Sequence, residues 1–84
     1  MITYLKPEYD SRKSFYNKAA VEIKGNEKIL YSYNVKICSI VNRSFYKHWN
    51  GYNVTTMRHI SEFRLQNGFS AMGKKEWENL ETED

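Results

Sequence analysis

The chain has 84 residues, which is enough for one domain and excludes a multidomain enzyme. Its single cysteine excludes an intrachain disulfide, and no apolar run approaches the roughly 20 residues of a membrane-spanning helix. Residues 1–16 also lack the apolar core of a signal peptide, so a chain with 15% aromatic residues and a net charge of +3 is expected to be a soluble protein of a reducing cytoplasm.

The N-terminal segment, residues 1–16, is predicted to be irregular. Pro7 and the polar run EYDSRKS that follows it disfavour both helix and strand. We expect this segment to be held against the body of the domain by its aromatic side chains. These are Tyr4, Tyr9, Phe15 and Tyr16.

Four short strands are predicted next, starting where the hydrophobic period becomes two. Ala19, Val21 and Ile23 occupy alternate positions, which is the pattern of a half-buried strand. The run KGNEK then supplies residues that favour a turn. Three further strands, rich in β-branched and aromatic residues, are predicted at residues 29–33, 35–41 and 44–49. Four short strands with tight connections indicate an antiparallel meander.

The stretch TTMRHISEFRLQNGF, residues 55–69, has the signals of a helix at both ends. Thr55 or Thr56 is predicted to cap the first turn, where backbone N–H groups have no partner within the helix. Gly68 is a common helix stop, and Phe69 then occupies the position of the hydrophobic contact in a Schellman ending.

Two faces of this helix are predicted from its rotation of 100° per residue. Met57, Ile60 and Phe63 share one face, which we expect to pack on the sheet. Arg58 and Glu62 are four residues apart on the opposite face, where a weak, exposed ion pair is predicted.

The predicted fold class is α+β, with a small antiparallel sheet of about four strands packed against one main C-terminal helix in two layers. Residues 1–75 are predicted to form the single domain. Residues 76–84 are predicted to be an acidic tail, with a short helix continuing into it from residue 74 and Trp77 and Leu80 on one side of that helix.

Charge is unevenly divided between these two parts. Thirteen cationic and five acidic side chains give residues 1–75 a charge of +8, and the five acidic residues of the tail give −5. A basic body is typical of proteins that bind nucleic acid or an acidic protein surface, and an acidic tail can fold back and screen it.

Three stretches, YDSRKSFYNKA, LYSYNV and TTMRHISEFRLQNGF, stand in an order that resembles a family of small proteins encoded by phages and prophages of Gram-positive bacteria. The pattern is a Tyr-Asp and Ser-Phe-Tyr opening, a Ser-Tyr strand, and a Thr-Thr-x-Arg-His-x-x-Glu-Phe helix ending in Gln-Asn-Gly. The resemblance covers about residues 4–72. The chain departs from the pattern at Arg64 and Leu65, where an apolar residue is expected first, and in its acidic tail.

This resemblance implies an origin more than an activity. Small phage proteins often act by stoichiometric binding to a host protein, and anti-CRISPR proteins are the best-known group of this type. The resemblance therefore implies a non-enzymatic accessory protein in the cytoplasm of an infected bacterium. Its expected partner is a CRISPR-Cas nuclease (type II, Cas9) or another defence nuclease. The basic body disfavours a DNA mimic that uses its whole surface.

Neither a catalytic site nor a metal site nor a cofactor is predicted. Cys38 lies inside an apolar strand, where a buried thiol acts as a small, inert hydrophobic side chain. Cys38, His48 and His59 are possible metal ligands, but they lack the closely spaced pairs of a structural zinc site.

The candidate partner-binding residues are cationic and aromatic. On the helix, Arg58, His59 and Arg64 are candidates, although His59 could instead be a boundary histidine bonded to backbone or to a strand tyrosine. Stacked aromatic rings in a positive groove also bind single-stranded nucleic acid, so a small basic nucleic-acid-binding module is the alternative to a host-protein partner. The candidates on strands and turns are Tyr31, Tyr33, Lys36, Arg43, Tyr46, Lys47 and Trp49.

Overall fold

The computed structural model describes residues 1–83 and consists of a five-stranded antiparallel sheet followed by two helices. The main helix is α1 (Val54–Gln66), and α2 (Lys74–Asn79) is a shorter one. The predicted α+β class, with one main helix C-terminal to the sheet, is confirmed. The strands lie side by side in chain order: β1 (Ile2–Tyr4), β2 (Ala19–Lys24), β3 (Glu27–Ser32), β4 (Val35–Val41) and β5 (Ser44–Lys47).

The sheet has one strand more than the four predicted. β1 lies in the segment that was expected to be irregular and forms the edge of the sheet, with Thr3 opposite Val21 of β2. Three residues are too few to show an alternating pattern, so the sequence gives little signal for this strand. The rest of the segment is irregular but attached to the body, because Leu5 and Phe15 are buried in the core.

Two-residue turns connect the strands from β3 to β5. Tyr33 and Asn34, and then Asn42 and Arg43, all have positive φ, between 49° and 70°. This is the backbone of the tight hairpin turns that match the twist of antiparallel strands. β4 covers the residues predicted for it, whereas β5 ends at Lys47, two residues before the predicted limit.

The core lies between one face of the sheet and the two helices. Met57, Ile60 and Phe63 of α1 are buried against the sheet, which confirms the predicted helix face. Trp77 of α2 is fully buried in the same core, and its indole Nε1 donates to the backbone oxygen of Gly51 at 2.9 Å. The predicted tail is thus attached to the body at Trp77 and again at Thr82, which forms an isolated parallel β-bridge with Lys47. Asp84 lies outside the described residues.

The start of α1 differs from the prediction. Asn53 is the capping residue, and its side-chain Oδ1 accepts hydrogen bonds from the N–H groups of Thr55 and Thr56 at 2.9 and 3.2 Å. Thr56 is instead buried, with its hydroxyl 3.1 Å from that of Ser32. The helix thus begins earlier than expected because Asn53, a strong capping residue, precedes the two threonines.

The end of α1 has the predicted Schellman geometry. The N–H of Phe69 donates to the oxygen of Arg64 at 2.9 Å, and the N–H of Gly68 donates to the oxygen of Leu65 at 3.3 Å. Gly68 has a φ of 86°, a conformation that glycine adopts without steric cost. Phe69 packs against the core, as expected from its position.

Candidate functional site

The helices leave one face of the sheet uncovered, and strand register brings aromatic side chains together there. Tyr4 of β1, Ala20 of β2, Tyr31 of β3 and Lys36 of β4 are successive partners in one row across the sheet. The neighbouring row runs from Ile2 through Glu22, Ile29 and Ser39 to Tyr46. A third row contains Lys24, Glu27 and Val41. We call this surface the outer face and define it by Ile2, Tyr4, Glu22, Lys24, Glu27, Tyr31, Lys36, Val41 and Tyr46.

The outer face exposes large apolar side chains. Ile2 is 63% exposed, Tyr4 57% and Tyr46 37%. Ile29, at the centre of the face, is buried, so the exposed rings surround a closed apolar centre. Tyrosine on a rigid, partly apolar surface is typical of the centres of protein–protein interfaces.

Charges on the outer face are balanced. The hydroxyl of Tyr31 donates to Glu22 Oε1 at 2.9 Å, and Nζ of Lys24 lies 3.8 Å from the same oxygen. The hydrogen bond to Glu22, together with burial, raises the pKa of Tyr31. Glu27 stands opposite Lys24 in the next row. With Lys36, the face carries two lysines and two glutamates, so it has no net attraction for a polyanion.

The structure brings some of the predicted partner-binding residues together and separates others. Tyr31, Lys36 and Tyr46 share the outer face. Tyr33 and Arg43 are exposed, but they lie in turns at opposite ends of β4. Trp49 follows β5 and packs against the core.

Lys47 and Arg64 are not placed at the surface. Lys47 is 2% exposed, and its Nζ donates to the backbone oxygens of Trp77 and Leu80 at the end of α2, at 2.8 and 3.3 Å. Arg64 is 8% exposed. Its Nε donates to the oxygen of Ser70 at 2.9 Å, and its guanidinium carbon lies 4.5 Å from the centroid of the Phe45 ring. Both cations hold local structure together.

His59 is fully buried and its partner is a serine, so it differs from the predicted alternative of a boundary histidine bonded to backbone or to a strand tyrosine. Its Nδ1 lies 2.8 Å from the hydroxyl of Ser32 on β3, and the edge of the imidazole contacts Phe15, with ring centroids 4.7 Å apart. Burial lowers the pKa of His59 to about 4, with Asp10 acting against this shift and Arg12 adding to it. The imidazole is therefore neutral near pH 7.

The predicted ion pair between Arg58 and Glu62 is wrong, because the N-terminal segment crosses this face of α1. Nη1 of Arg58 bonds both carboxylate oxygens of Asp10, at 3.0 and 3.3 Å. Glu62 is buried, and its Oε1 accepts from the backbone N–H groups of Tyr9 and Asp10, each at 2.9 Å. Its other oxygen accepts from Gln66 at 2.7 Å.

Burial of the Glu62 carboxyl raises its pKa, but its hydrogen bonds act in the opposite direction and prevail. These bonds come from the side chain of Gln66 and from the backbone of Glu8, Tyr9 and Asp10, and together they hold the pKa of Glu62 below its usual value. Glu62 is therefore an ionised, hydrogen-bonded carboxylate that fixes the N-terminal segment to α1.

The three possible metal ligands are not assembled into a site. Cys38 is fully buried, which raises the pKa of its thiol despite the positive charge of Arg64. His48 has both ring nitrogens engaged, with the Ser39 hydroxyl at 2.8 Å and the Glu83 oxygen at 2.9 Å. Within residues 1–83, no group of three or more His, Cys, Asp or Glu side chains could hold a metal ion.

Two exposed apolar residues of the outer face, Ile2 and Tyr4, were not among the predicted candidates. The sequence signal for them is the alternation of Ile2, Thr3 and Tyr4, but this pattern is only one period long and is too short to predict a strand.

The part of the chain that the structure describes has no helix long and apolar enough to cross a membrane.

Comparison with known proteins places the chain in a family. Residues 3–79 match the model of a family of unknown function, DUF8033, and the chain belongs to that family. No curated protein and no solved structure matches the chain.

Proposed function

We propose that this DUF8033 member acts without catalysis, by binding a partner protein stoichiometrically through its outer face. The observation that carries the proposal is the register that sets Tyr4, Tyr31 and Tyr46 on one uncovered face of a rigid sheet. Exposed tyrosines supply large contact areas at low entropic cost, and a sheet holds them in fixed positions.

The partner that we propose is a host protein of a phage-infected bacterium, with a CRISPR-Cas nuclease such as Cas9, or another defence nuclease, as the candidate class. This part rests on the resemblance of YDSRKSFYNKA, LYSYNV and TTMRHISEFRLQNGF to small phage proteins. A stoichiometric inhibitor needs a stable contact surface and no reactive group, and the outer face supplies such a surface.

The charge of the outer face favours a protein partner over nucleic acid. Nucleic-acid-binding surfaces gain most of their affinity from cations that contact phosphates. On the outer face Lys24 and Lys36 are offset by Glu22 and Glu27, and two further cations of the chain, Lys47 and Arg64, are buried. Exposed aromatic rings on a face without net charge fit the aromatic-rich centres of protein interfaces.

Affinity capture from a bacterial host lysate tests this function. The double variant Tyr4→Ala/Tyr46→Ala removes two exposed rings of the outer face, and Tyr16→Ala, which removes a 76% exposed ring elsewhere, is the matched control. We expect the wild type and the control to retain the same host protein and the double variant to lose it. Capture of no protein, or equal capture by all three, would contradict the proposal.

A titration of the captured nuclease tests the inhibitory role. Its DNA cleavage should fall linearly as the chain is added and stop falling near equimolar amounts, as expected for a tight stoichiometric inhibitor. Cleavage that is unaffected by a bound chain would leave binding intact but refute inhibition.

Nucleic-acid binding is the second candidate function, because most lysine and arginine side chains of the chain are exposed. Binding through phosphates releases counterions and therefore weakens steeply as salt rises. Gel-shift assays with single- and double-stranded DNA in rising salt separate the two functions. No shift at low salt, where non-specific binding is strongest, would exclude this candidate.

A further inference from the structure

A cleft lies at the end of the sheet where the N-terminal segment, the β3–β4 turn and the first turns of α1 meet. Its volume is about 280 Å³, slightly below the roughly 300–1,000 Å³ of sites for drug-sized ligands. It therefore suits a small ligand, and it is separate from the outer face. The lining residues that matter here are Arg12, Ser14, Tyr16, Lys18, Tyr33 and His59.

One of the residues that line this cleft has a buried polar atom without a hydrogen-bond partner. Within residues 1–83, Nε2 of His59 is the one buried side-chain nitrogen or oxygen that no protein group bonds. Buried polar groups in folded proteins are nearly always paired, and an unpaired one in a cleft points to a bound molecule.

A chain of hydroxyl groups can set the protonation of this nitrogen. The Thr56 hydroxyl lies 3.1 Å from the Ser32 hydroxyl, which lies 2.8 Å from Nδ1 of His59. If Thr56 donates to Ser32 and Ser32 donates to Nδ1, the ring proton is on Nε2, which becomes a donor. If both hydrogen bonds run in the opposite direction, Nδ1 carries the proton and Nε2 is an acceptor. The charge around the cleft therefore determines whether an anion or a hydrogen-bond donor is the favoured ligand.

That charge is positive. Arg12 and Lys18 are the charged residues of the lining, both are exposed, and no carboxylate is among the lining residues. Asp10, in the same segment, has its carboxylate bound by Arg58 at 3.0 Å. A hydrogen-bond donor in a cleft whose lining carries two cations and no carboxylate favours an anionic ligand, and such a ligand selects the tautomer of His59 that has its proton on Nε2.

Two tyrosines beside the cleft are held in an unfavourable backbone conformation. Tyr16 has a φ of 52° and Tyr33 a φ of 51°, a region where asparagine and glycine are favoured over bulky residues. Tyrosine at both positions places two aromatic rings beside the same cleft. A flat group attached to the bound anion would be able to stack on one of these rings.

We propose that this cleft binds a phosphate group, either free or as part of a mononucleotide. His59 Nε2 donates a hydrogen bond to a phosphate oxygen, and Arg12 and Lys18 neutralise its charge. Because His59 is fully buried, a side chain has to turn aside as the ligand enters. Tyr33 is that side chain, since it is 49% exposed and its ring centroid lies 6.0 Å from the imidazole.

Nuclear magnetic resonance titration of the full chain tests the proposal. The probes are inorganic phosphate, adenosine 5′-monophosphate and adenosine, added at constant ionic strength with chloride as the balancing anion. We expect saturable shifts of the His59 ring signals and of the backbone signals of Arg12, Lys18 and Tyr33 with both phosphate-bearing probes. No saturable shift with either would overturn the proposal, and equal binding of adenosine would overturn the assignment of an anion.

The three probes also separate the two sources of phosphate. Tighter binding of the nucleotide than of inorganic phosphate, by about tenfold, is expected if a base stacks on Tyr16 or Tyr33. Equal affinities for the nucleotide and for inorganic phosphate would identify free phosphate as the ligand. In either case, the phosphate group is bound by His59, Arg12 and Lys18.

Matched variants connect the binding to the cleft. Arg12→Ala and Lys18→Ala remove exposed cations of the lining and are each expected to weaken phosphate binding about tenfold. Lys75→Ala removes an exposed cation that lies outside both the cleft and the outer face, and it is expected to leave phosphate binding unchanged. An equal loss in all three variants would indicate non-specific attraction to a basic protein and overturn the site.

Discussion

At the scale of single residues, His59 links stability to pH. Its pKa falls from 6.5 to about 4 on folding because the imidazole is buried. The unfolded chain therefore takes up a proton below pH 6.5 that the folded chain does not. Above pH 6.5 the imidazole is neutral in both states, and the free energy of unfolding is at its full value. As the pH falls towards 4, protonation of the unfolded chain lowers the free energy of unfolding by roughly 3 kcal/mol in total.

Urea unfolding in phosphate-free buffer measures this loss. We expect the free energy of unfolding to be about 2 kcal/mol lower near pH 5 than near pH 7. His59→Gln removes the titrating group, and its stability should differ much less between the two pH values. A wild type that is equally stable at both would contradict the buried, neutral imidazole.

Phe63 is the residue of α1 whose truncation should do most damage. Its ring is fully buried between the helix and the sheet, so Phe63→Ala removes apolar contacts and leaves a cavity. The expected cost is about 3–5 kcal/mol, a large part of the stability of a domain of this size.

Arg58→Ala is the comparison for that prediction. The Arg58 side chain is 38% exposed and bonds only Asp10 among the described residues, so its loss should cost about 1 kcal/mol. Thermal melts of both variants give the ranking. A Phe63→Ala protein that melts near the wild type would refute the core assignment.

At the scale of elements, the attachment of the N-terminal segment to α1 depends on Glu62. Glu62→Gln keeps the size of the side chain but replaces a charged acceptor of the Tyr9 and Asp10 N–H groups by a neutral one. The expected cost is roughly 1–3 kcal/mol, because hydrogen bonds to a buried charge are the stronger ones. Hydrogen exchange of these two amides should accelerate more than exchange in β3, and uniform acceleration would contradict a local role.

The C-terminal end of α1 gives a second prediction for an element. Gly68 has a φ of 86°, and a Cβ atom there would meet nothing within 4 Å. Gly68→Ala should therefore cost about 1 kcal/mol through backbone conformation alone. Gly68→Asn should cost less, because asparagine tolerates this region. Equal melting temperatures of wild type and Gly68→Ala would show that the Schellman ending is dispensable.

At the scale of the whole molecule, local patterns predicted the elements better than the long-range contacts. Alternating residues indicated β2, β-branched residues indicated β4, and the spacing of Met57, Ile60 and Phe63 gave the correct helix face. Glu62 is charged and was expected to be exposed, since charged residues are seldom buried. Its burial depends on N–H groups more than 50 residues away in the chain, which no local pattern reveals.

The candidate site shows the same limit. Tyr31, Lys36 and Tyr46 could be predicted because each lies in or beside a clearly patterned strand. Lys47 could not be recognised as buried, because the carbonyl groups that bind its ammonium belong to the distant helix α2. Tyr4 joins the outer face only through the register of β1, the strand that the sequence did not reveal.

The contacts between the N-terminal segment and α1 also have a kinetic consequence. Arg58 and Asp10 are 48 residues apart, and Gln66 bonds the oxygen of Lys6 across 60 residues, whereas the strands of the meander are sequence neighbours. Closing long loops costs more entropy, so the meander is expected to form early and the segment to dock last and detach first. Brief detachment would open one wall of the proposed phosphate cleft and remove Tyr4 from the outer face, while Tyr31 and Tyr46 would stay in place on β3 and β5, so the cleft would be lost completely and the outer face only in part.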